Sequence, residues 1–316
     1  MSAPRIVVVG SANTDLVVKL PRLPGHGETM LGGEFAIAPG GKGANQAVAA
    51  ARLGAQTTFI GCLGGDQFGD DVLAAIEGAG VDTRFICRAD AIHTGVGLIM
   101  VGPDGENMIG VASGANHQLF PEHLEAAAEA FAGADIVLSQ LEIPDATIRR
   151  SADLATAHGA RFLLNPAPAA PLPGDLLTQV AVLVPNRVEL AFHSGMPVET
   201  LEEVTAAAGT LLARGAGAVV TTLGPDGALA LDADGAAHIP APLVDAVDAT
   251  AAGDTFCGAL AVMLAEGRDL REAVRYAVTA ASLAVTKLGA IPSIPTRDEV
   301  ERFLHRPTAS SAPASA

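Results

Sequence analysis

The chain of 316 residues has no tryptophan, one tyrosine and 10 phenylalanines. Stacking platforms for nucleic-acid bases are therefore scarce. Cations are sparse as well: 19 Lys and Arg stand against 35 Asp and Glu, for a formal charge of −16. Such a chain lacks the basic footprint of a non-specific nucleic-acid binder and the polybasic stretch that docks on anionic membrane. A local pocket for a small anion remains compatible with that charge. The three cysteines, Cys62, Cys87 and Cys257, form no CxxC pair and no metal cluster, and their neighbours are apolar or small. Buried free thiols in a reducing compartment are expected. The eight histidines are scattered without metal-site spacing. No apolar run approaches membrane-spanning length, and Arg5 to Gly10 is too short for a signal peptide. These absences predict a cytoplasmic protein with neither nucleic-acid nor membrane partners.

What is present is an apolar chain, 49% hydrophobic and rich in Ala, Val and Leu, with 35 Gly and 20 Pro. That composition gives a large core and many tight turns. Short β-branched runs alternate with Ala-rich helical stretches. Strands are predicted at Ile6–Val9, Thr57–Cys62, Ile136–Ser139, Phe162–Leu164, Val182–Val184 and Ala218–Thr222. Helices are predicted at Gly43–Leu53, Phe68–Ala79, Glu122–Phe131, Asp145–Ala157, Leu201–Ala213, Asp254–Leu264 and Leu270–Lys287. Repeated β-to-α order with buried strands implies an α/β fold with a mostly parallel sheet covered by helices. Glu28–Ile37 and Gly95–Val111 break the rhythm and read as strands, the second folded at a Pro103–Glu106 turn. They form either an edge hairpin or a small second sheet serving as a lid. Ala228–Leu231 and Ala236–Pro240 read as a hairpin on the main sheet. The Ser-, Ala- and Pro-rich tail from Pro307 is expected to be disordered.

Two glycine-bearing segments carry the chemistry. Asp248-Ala249-Thr250-Ala251-Ala252-Gly253-Asp254-Thr255-Phe256 sets small residues before a helix start. The unpaired N–H groups of a first helical turn can hold an anion, and Gly253 lets the backbone come close to it. Asp254 either accepts a proton from a hydroxyl beside that anion or simply caps the helix. Pro39-Gly40-Gly41-Lys42-Gly43-Ala44-Asn45-Gln46 also precedes a helix. It has neither P-loop spacing nor the GxGxxG dinucleotide fingerprint, so a Rossmann oxidoreductase is excluded. Asn45 offers a donor and an acceptor, which suits a polyhydroxy ligand. The competing account is close helix–sheet packing.

Further polar residues follow strand ends, where α/β folds bind ligands. Asn13 and Asp15 are two apart, so an extended chain puts both on one face; they contact a sugar or form an Asx turn. Glu142 and Asn165 follow two other strands. Asn186 and Glu189 share one helix face, as a cap or as groups near a hydrated magnesium. The turn from Thr222 through Leu223, Gly224, Pro225, Asp226 and Gly227 could accept a nucleotide or be an ordinary hairpin loop.

Taken together these segments resemble the ribokinase branch of the ribokinase-like (PfkB) carbohydrate kinases, over roughly residues 5 to 304. The resemblance rests on the two glycine-bearing motifs in this order, with Gly10-Ser11-Ala12-Asn13-Thr14-Asp15, Gln140-Leu141-Glu142 and Asn165-Pro166-Ala167-Pro168. It implies a three-layer α/β/α kinase domain over residues 1–306, with lid segments at about 14–40 and 94–112. It implies transfer of the ATP γ-phosphoryl group to the 5-hydroxyl of D-ribose, with deoxyribose, fructose, a keto sugar acid or a nucleoside as alternative acceptors in the same family. A non-catalytic sugar sensor on this fold is disfavoured by Asp254, since binding alone needs no base.

By the same resemblance, Asp254 is the catalytic base and Ala251, Ala252 and Gly253 form the anion hole. Asn13, Asp15, Gly41, Lys42, Gly43, Asn45 and Glu142 contact the sugar. Asn186, the Thr222–Gly227 turn and Val278 contact the nucleotide, together with Gly253 and Asp254. Glu189 faces magnesium through water. Asp248, Thr250, Ala284, Lys287, Gly289 and Ser293 surround an activating potassium ion, mostly through backbone oxygens, so Lys287 need not offer its ammonium group. Relatives usually pair through their lids, which implies a homodimer. Much of the wider family has Gly-Ala where this chain has Ala251-Ala252, and some relatives carry a polar side chain where this chain has Val278.

Overall fold

A computed structural model describes residues 3–103, 106–172 and 175–305. Its strands, in chain order, are β1 (Arg5–Val9), β2 (Asn13–Lys19), β3 (Glu34–Gly40), β4 (Gln56–Ile60), β5 (Cys62–Gly64), β6 (Cys87–Ala89) and β7 (Gly95–Val101). They continue with β8 (Asn107–Ala112), β9 (Ile136–Ser139), β10 (Arg161–Leu164), β11 (Val180–Leu183), β12 (Val219–Thr222), β13 (Ala228–Asp232) and β14 (Gly235–Ile239). The helices are α1 (Lys42–Arg52), α2 (Gln67–Gly78), α3 (Pro121–Ala126), α4 (Ala128–Phe131), α5 (Asp145–His158), α6 (Arg187–Ser194), α7 (Leu201–Ala213), α8 (Ala252–Ala265), α9 (Leu270–Ala284) and α10 (Arg297–Leu304).

Eight strands make the main sheet in the order β14-β13-β12-β11-β10-β9-β1-β4. Pairing is parallel from β4 through β12 and antiparallel in the β12-β13-β14 edge. The continuous apolar run of β1 follows from burial on both faces. Ile6 and Val8 point into a core shared with α1, α8 and α9, whereas Val7 and Val9 point into one shared with α5 and α7. This is the predicted three-layer α/β/α arrangement.

A second sheet, β3-β2-β7-β8, stands off the main one. The polypeptide enters it at Asn13, just beyond β1, and leaves at Gly40, just before α1. The sheet predicted for the lid therefore exists, but its first part differs from the expected Glu28–Ile37. The strand there is Glu34–Gly40, paired along its whole length with β2. The Pro103–Glu106 turn has its centre, 104–105, outside the described residues, as does the tail from Pro307.

Other boundaries are corrected by packing. The strand expected over Thr57–Cys62 is two strands, because Gly61 turns the polypeptide from β4, beside β1, to β5, beside β6. The helix expected over Glu122–Phe131 is interrupted at Ala127. The one expected to reach Lys287 stops at Ala284. Cys62 and Cys87 are not free thiols: they stand opposite each other in the β5–β6 pair with Cα atoms 4.5 Å apart, and a disulfide joins them. Only their non-local pairing brings them together, across 25 residues of sequence. Cys257 is free and buried, as expected. Among the described residues no helix is long and apolar enough to cross a membrane.

Candidate active site

Three elements converge at one end of the main sheet. The first is the N-terminus of α1. Gly41 precedes it at φ 92°, and a Cβ there would stand 2.6 Å from the Asn13 nitrogen, so the motif's backbone lies directly on the strand leading into the lid. Lys42 opens the helix, against the helix dipole, which favours anions at that end. Burial alone would lower its ammonium pKa; the carboxylates of Asp254, Glu142 and Glu189 outweigh burial and hold it above its ordinary value.

The second element is the N-terminus of α8. Ala251 precedes it in the left-handed region at φ 59°, the one described non-glycine residue with positive φ. The Thr255 N–H closes onto the Ala251 carbonyl at 2.8 Å, and the Ala252 N–H turns back to the Ala249 carbonyl at 3.2 Å. Helix geometry leaves the N–H groups of Gly253 and Asp254 with no carbonyl four residues back. Of the expected anion hole, Gly253 thus keeps its donor, Ala252 shares its own with Ala249, and Asp254 adds one. A Cβ on Gly253 would meet nothing within 4 Å, so open space lies in front of it.

The third element is the base of the lid. Asp15 projects from β2 over Gly97 of β7, with its carboxylate also beside Gly40. Burial lifts its pKa to about 6, Glu142 and Asp254 add to the rise, and Lys42 opposes it. Asn13, 4% exposed, accepts a 2.7 Å hydrogen bond from Asn116 Nδ2, and Asn116 Oδ1 accepts from the Ala12 N–H. With Asn13 Oδ1 engaged, its amide nitrogen is the end left to offer a ligand. Glu142 accepts a 2.5 Å hydrogen bond from Ser11 Oγ.

These elements meet at Asp254. Asn45 Nδ2 donates to Asp254 Oδ2 at 2.9 Å, and Gln46 Nε2 donates to Asp254 Oδ1 at 3.1 Å. The early and late motifs, 209 residues apart in sequence, are therefore in direct contact. Asn45 Oδ1 is buried and without a hydrogen-bond partner in the protein.

Beside Asp254 lies a cavity of about 210 Å³, lined by Lys42, Asn165, Asn186, Glu189, Thr222, Ala249, Ala251, Gly253 and Cys257 among others. Asn186 caps α6 by accepting from the Glu189 N–H, while Glu189 accepts from the Asn186 backbone and side chain. Burial raises the Glu189 pKa, partly offset by these hydrogen bonds and by Lys42. The capping account thus holds, and both Asn186 and Glu189 line the cavity. Thr222 pairs with Asn186 in an isolated bridge, and the Leu223–Gly227 turn closes beyond it. Val278 does not line the cavity; it is buried in α9 against the cluster holding Ala228 and Ile239.

Of the residues expected around potassium, Asp248, Thr250 and Gly289 form a separate clasp. Val247 and Asp248 N–H groups both donate to the Val285 carbonyl. Asp248 Oδ1 accepts from Thr250 N and Oγ1, and Asp248 Oδ2 accepts from the Gly289 N–H. Burial works to raise the Asp248 pKa, but these hydrogen bonds win and keep the carboxyl below its ordinary range. Ser293 is buried nearby in sequence, its hydroxyl donating to Ala290. Lys287 spends its ammonium on Glu299 at 2.8 Å, leaving only backbone for a cation.

Sequence reasoning missed Ser11, Gln46, Gln140 and Asn116 as parts of the site. Gln46 and Gln140 stand inside the recognised motifs, so a signal existed for them. Asn116 lies in a 3₁₀ turn (Gly114–Gln118) with no motif around it.

Residues 3–297 match the family described as pfkB family carbohydrate kinase. The chain is 39% identical over 299 residues to a ribokinase of Haemophilus influenzae, covering 95% of this chain and 98% of that one. It is 35% identical over 300 residues to a deoxyribokinase of Salmonella typhi, covering 95% and 98%. The solved structure of Arabidopsis thaliana ribokinase complexed with ribose and ATP superposes with a TM-score of 0.90 at 37% identity, covering 96% of this chain and 99% of that one.

Proposed function

The chain belongs to the pfkB family of carbohydrate kinases, and from that premise we propose that it transfers the γ-phosphoryl group of ATP to the 5-hydroxyl of D-ribose. The observation that carries this reading is the Asp254 carboxylate, held on both oxygens by α1 donors and facing both the polar lid base and the cavity at the α8 N-terminus. Phosphoryl transfer needs little covalent chemistry from a protein; it needs an acceptor placed in line and charge held on the moving group. Asn13, Asp15, Asn45 and Glu142 orient the sugar's hydroxyls. Asp254 accepts the proton of the attacking hydroxyl. The N–H groups at the α8 start and the Lys42 ammonium hold the charge of the transferred group. Asn186 and the Thr222–Gly227 turn receive the nucleotide.

Among the described residues no three His, Cys, Asp or Glu side chains gather as a metal cluster. Glu189, which lines the cavity beside Asp254, would hold a hydrated magnesium through water, with phosphates as the main ligands. Bound magnesium would screen the phosphates and polarise the γ-phosphoryl group. The Asp248 clasp, with one carboxylate, would hold the potassium ion that the resemblance implies.

The lid face opposite Asp15 carries exposed Phe35, Ile37, Leu98 and Met108. We infer that a second copy covers this face in a homodimer. We infer that the domain occupies residues 1–306, with the lid at about 14–40 and 94–112, and that it works in the cytoplasm.

ADP release measured with ribose, deoxyribose, fructose, ketodeoxygluconate and adenosine tests the reading. The highest kcat/KM is expected with ribose. A site built to hydrogen-bond the 2-hydroxyl discriminates strongly against an acceptor lacking it, so a preference for deoxyribose reassigns the acceptor. No ADP release with any sugar overturns the kinase reading.

A further inference from the structure

We propose that Gln46 is a positioning residue, whose side-chain amide fixes the plane of the Asp254 carboxylate. The proposal rests on Asp254 being the base. Gln46 is completely buried. Its Nε2 donates to Asp254 Oδ1 and to Asn165 Oδ1, both at 3.1 Å, and its Oε1 accepts from Gln140 Nε2 at 2.6 Å.

The direction of this chain of amides is dictated from its far end. Asn165 Nδ2 donates to the Val184 carbonyl at 2.9 Å, and a carbonyl can only accept. Asn165 must therefore turn Oδ1 toward Gln46. Gln46 must then present its nitrogen there and, from the same nitrogen, its other hydrogen to Asp254. Its oxygen is left facing Gln140. The Val184 carbonyl, just past β11, thus fixes which end of Gln46 meets the base.

The two neighbours in α1 divide the work. Asn45 touches Asp254 Oδ2 while keeping a buried, unpartnered Oδ1. Gln46 has no group left for a ligand and is committed wholly to the protein. A donor on each carboxylate oxygen fixes the direction in which the carboxylate meets the acceptor hydroxyl. Each oxygen still has a second lone pair for the attacking hydroxyl.

The test is the pH dependence of kcat/KM for ribose in Gln46→Glu, which keeps the shape but sets an acceptor against Asp254. Two facing carboxylates share a proton. The acidic limb is expected to move up by one pH unit or more, with kcat at pH 7 down at least tenfold and the ribose KM changed less than threefold. A folded Q46E enzyme with an unmoved limb, or with a loss confined to KM, overturns the proposal. If Q46E does not fold, Asn165→Leu decides: it removes the acceptor that holds Gln46 Nε2 without touching Asp254. Its kcat should fall several-fold with KM unchanged, and wild-type kcat in N165L overturns the proposal. Asp254→Asn, run alongside, separates the two levels. Full turnover in D254N removes the base itself, whereas an inactive D254N with an unmoved Q46E limb removes only the positioning role.

Discussion

Gly258 of α8 and Ala49 of α1 meet where no further atom fits: a Cβ on Gly258 would stand 2.6 Å from the Ala49 Cβ and 2.9 Å from the Gln46 carbonyl oxygen. One turn toward the N-terminus of each helix, the same faces bring Asp254 to Asn45 and Gln46. The helix contact that fills the core therefore also sets the geometry of the carboxylate. Gly258→Ala should push α1 away, at about 1–3 kcal/mol of stability for overpacking. Displacement of the two donors by a fraction of an ångström should lower kcat roughly ten- to hundredfold. Urea unfolding and steady-state kinetics on G258A check both. Wild-type kcat in a destabilised variant would show that packing and site geometry are independent.

Much of this was legible in the sequence because it is local. The Ile136–Ser139 strand and the Leu201–Ala213 helix have the boundaries that periodicity predicts. Lys42 through Asn45 and Ala251 through Asp254 declared themselves by small residues before helix starts. What escaped depends on distant partners. Gly61 looks like a strand interior until β6 arrives beside β5. Asn116 reaches Asn13 across 103 residues. Cys62 and Cys87 look like packing thiols until parallel pairing sets them face to face. Asp254 lies inside α8, whose N-cap is Ala251 without a side-chain cap, so it is not the cap that local sequence allowed; its role as base is the proposal, and no local pattern contains the α1 donors that hold it.

Ala251 holds a left-handed conformation that costs an L-residue about 1–2 kcal/mol. Glycine there would relieve the strain but lose some 0.4–1 kcal/mol to the entropy of the unfolded chain. Ala251→Gly is thus expected to gain about 0.5–1 kcal/mol, read as a higher urea midpoint at unchanged slope. A lower midpoint would mean that the Ala251 methyl contributes packing that outweighs the strain.

The Cys62–Cys87 bond closes a loop of 25 residues around α2. Constraint of the unfolded chain by such a loop stabilises by about 3 kcal/mol. Thiol titration of the denatured protein should count one group, Cys257, without reductant and three after reduction. Reduction should lower the melting temperature, and Cys87→Ser should reproduce the shift. Three reactive thiols before reduction would return both cysteines to the free state expected of a reducing compartment.

Asp248 joins the loop before α8 to the loop after α9 through the Gly289 N–H at 2.8 Å. A cation held in that clasp would steady the small-residue turn leading to Gly253. Replacing sodium by potassium at constant ionic strength and saturating magnesium should raise kcat several-fold. Asp248→Ala should make the rate the same in both salts. Equal wild-type rates in sodium, potassium and an organic cation would remove potassium from the reading.

Asp15 supplies the clearest pH signature. Its carboxyl rises from an ordinary 3.8 to about 6, first through burial and then through Glu142 and Asp254. The folded chain therefore binds this proton more tightly than the unfolded one. The contribution to stability is complete below about pH 4 and is lost as the pH rises through 6. The span corresponds to roughly 2–3 kcal/mol at most. Asp15→Asn lacks this titration, so wild-type stability should fall relative to D15N between pH 4 and 7, leaving D15N the more stable at neutral pH. Substrate binding should run the other way. A sugar hydroxyl needs the ionised acceptor, so the ribose KM should climb as the pH drops below 6, and D15N should show a high KM with that limb flattened. Groups distant from Asp15 behave alike in both proteins, so the difference reports Asp15 together with its coupling to its neighbours. A stability difference constant across the range would mean that neither burial nor the neighbouring carboxylates raise the Asp15 pKa.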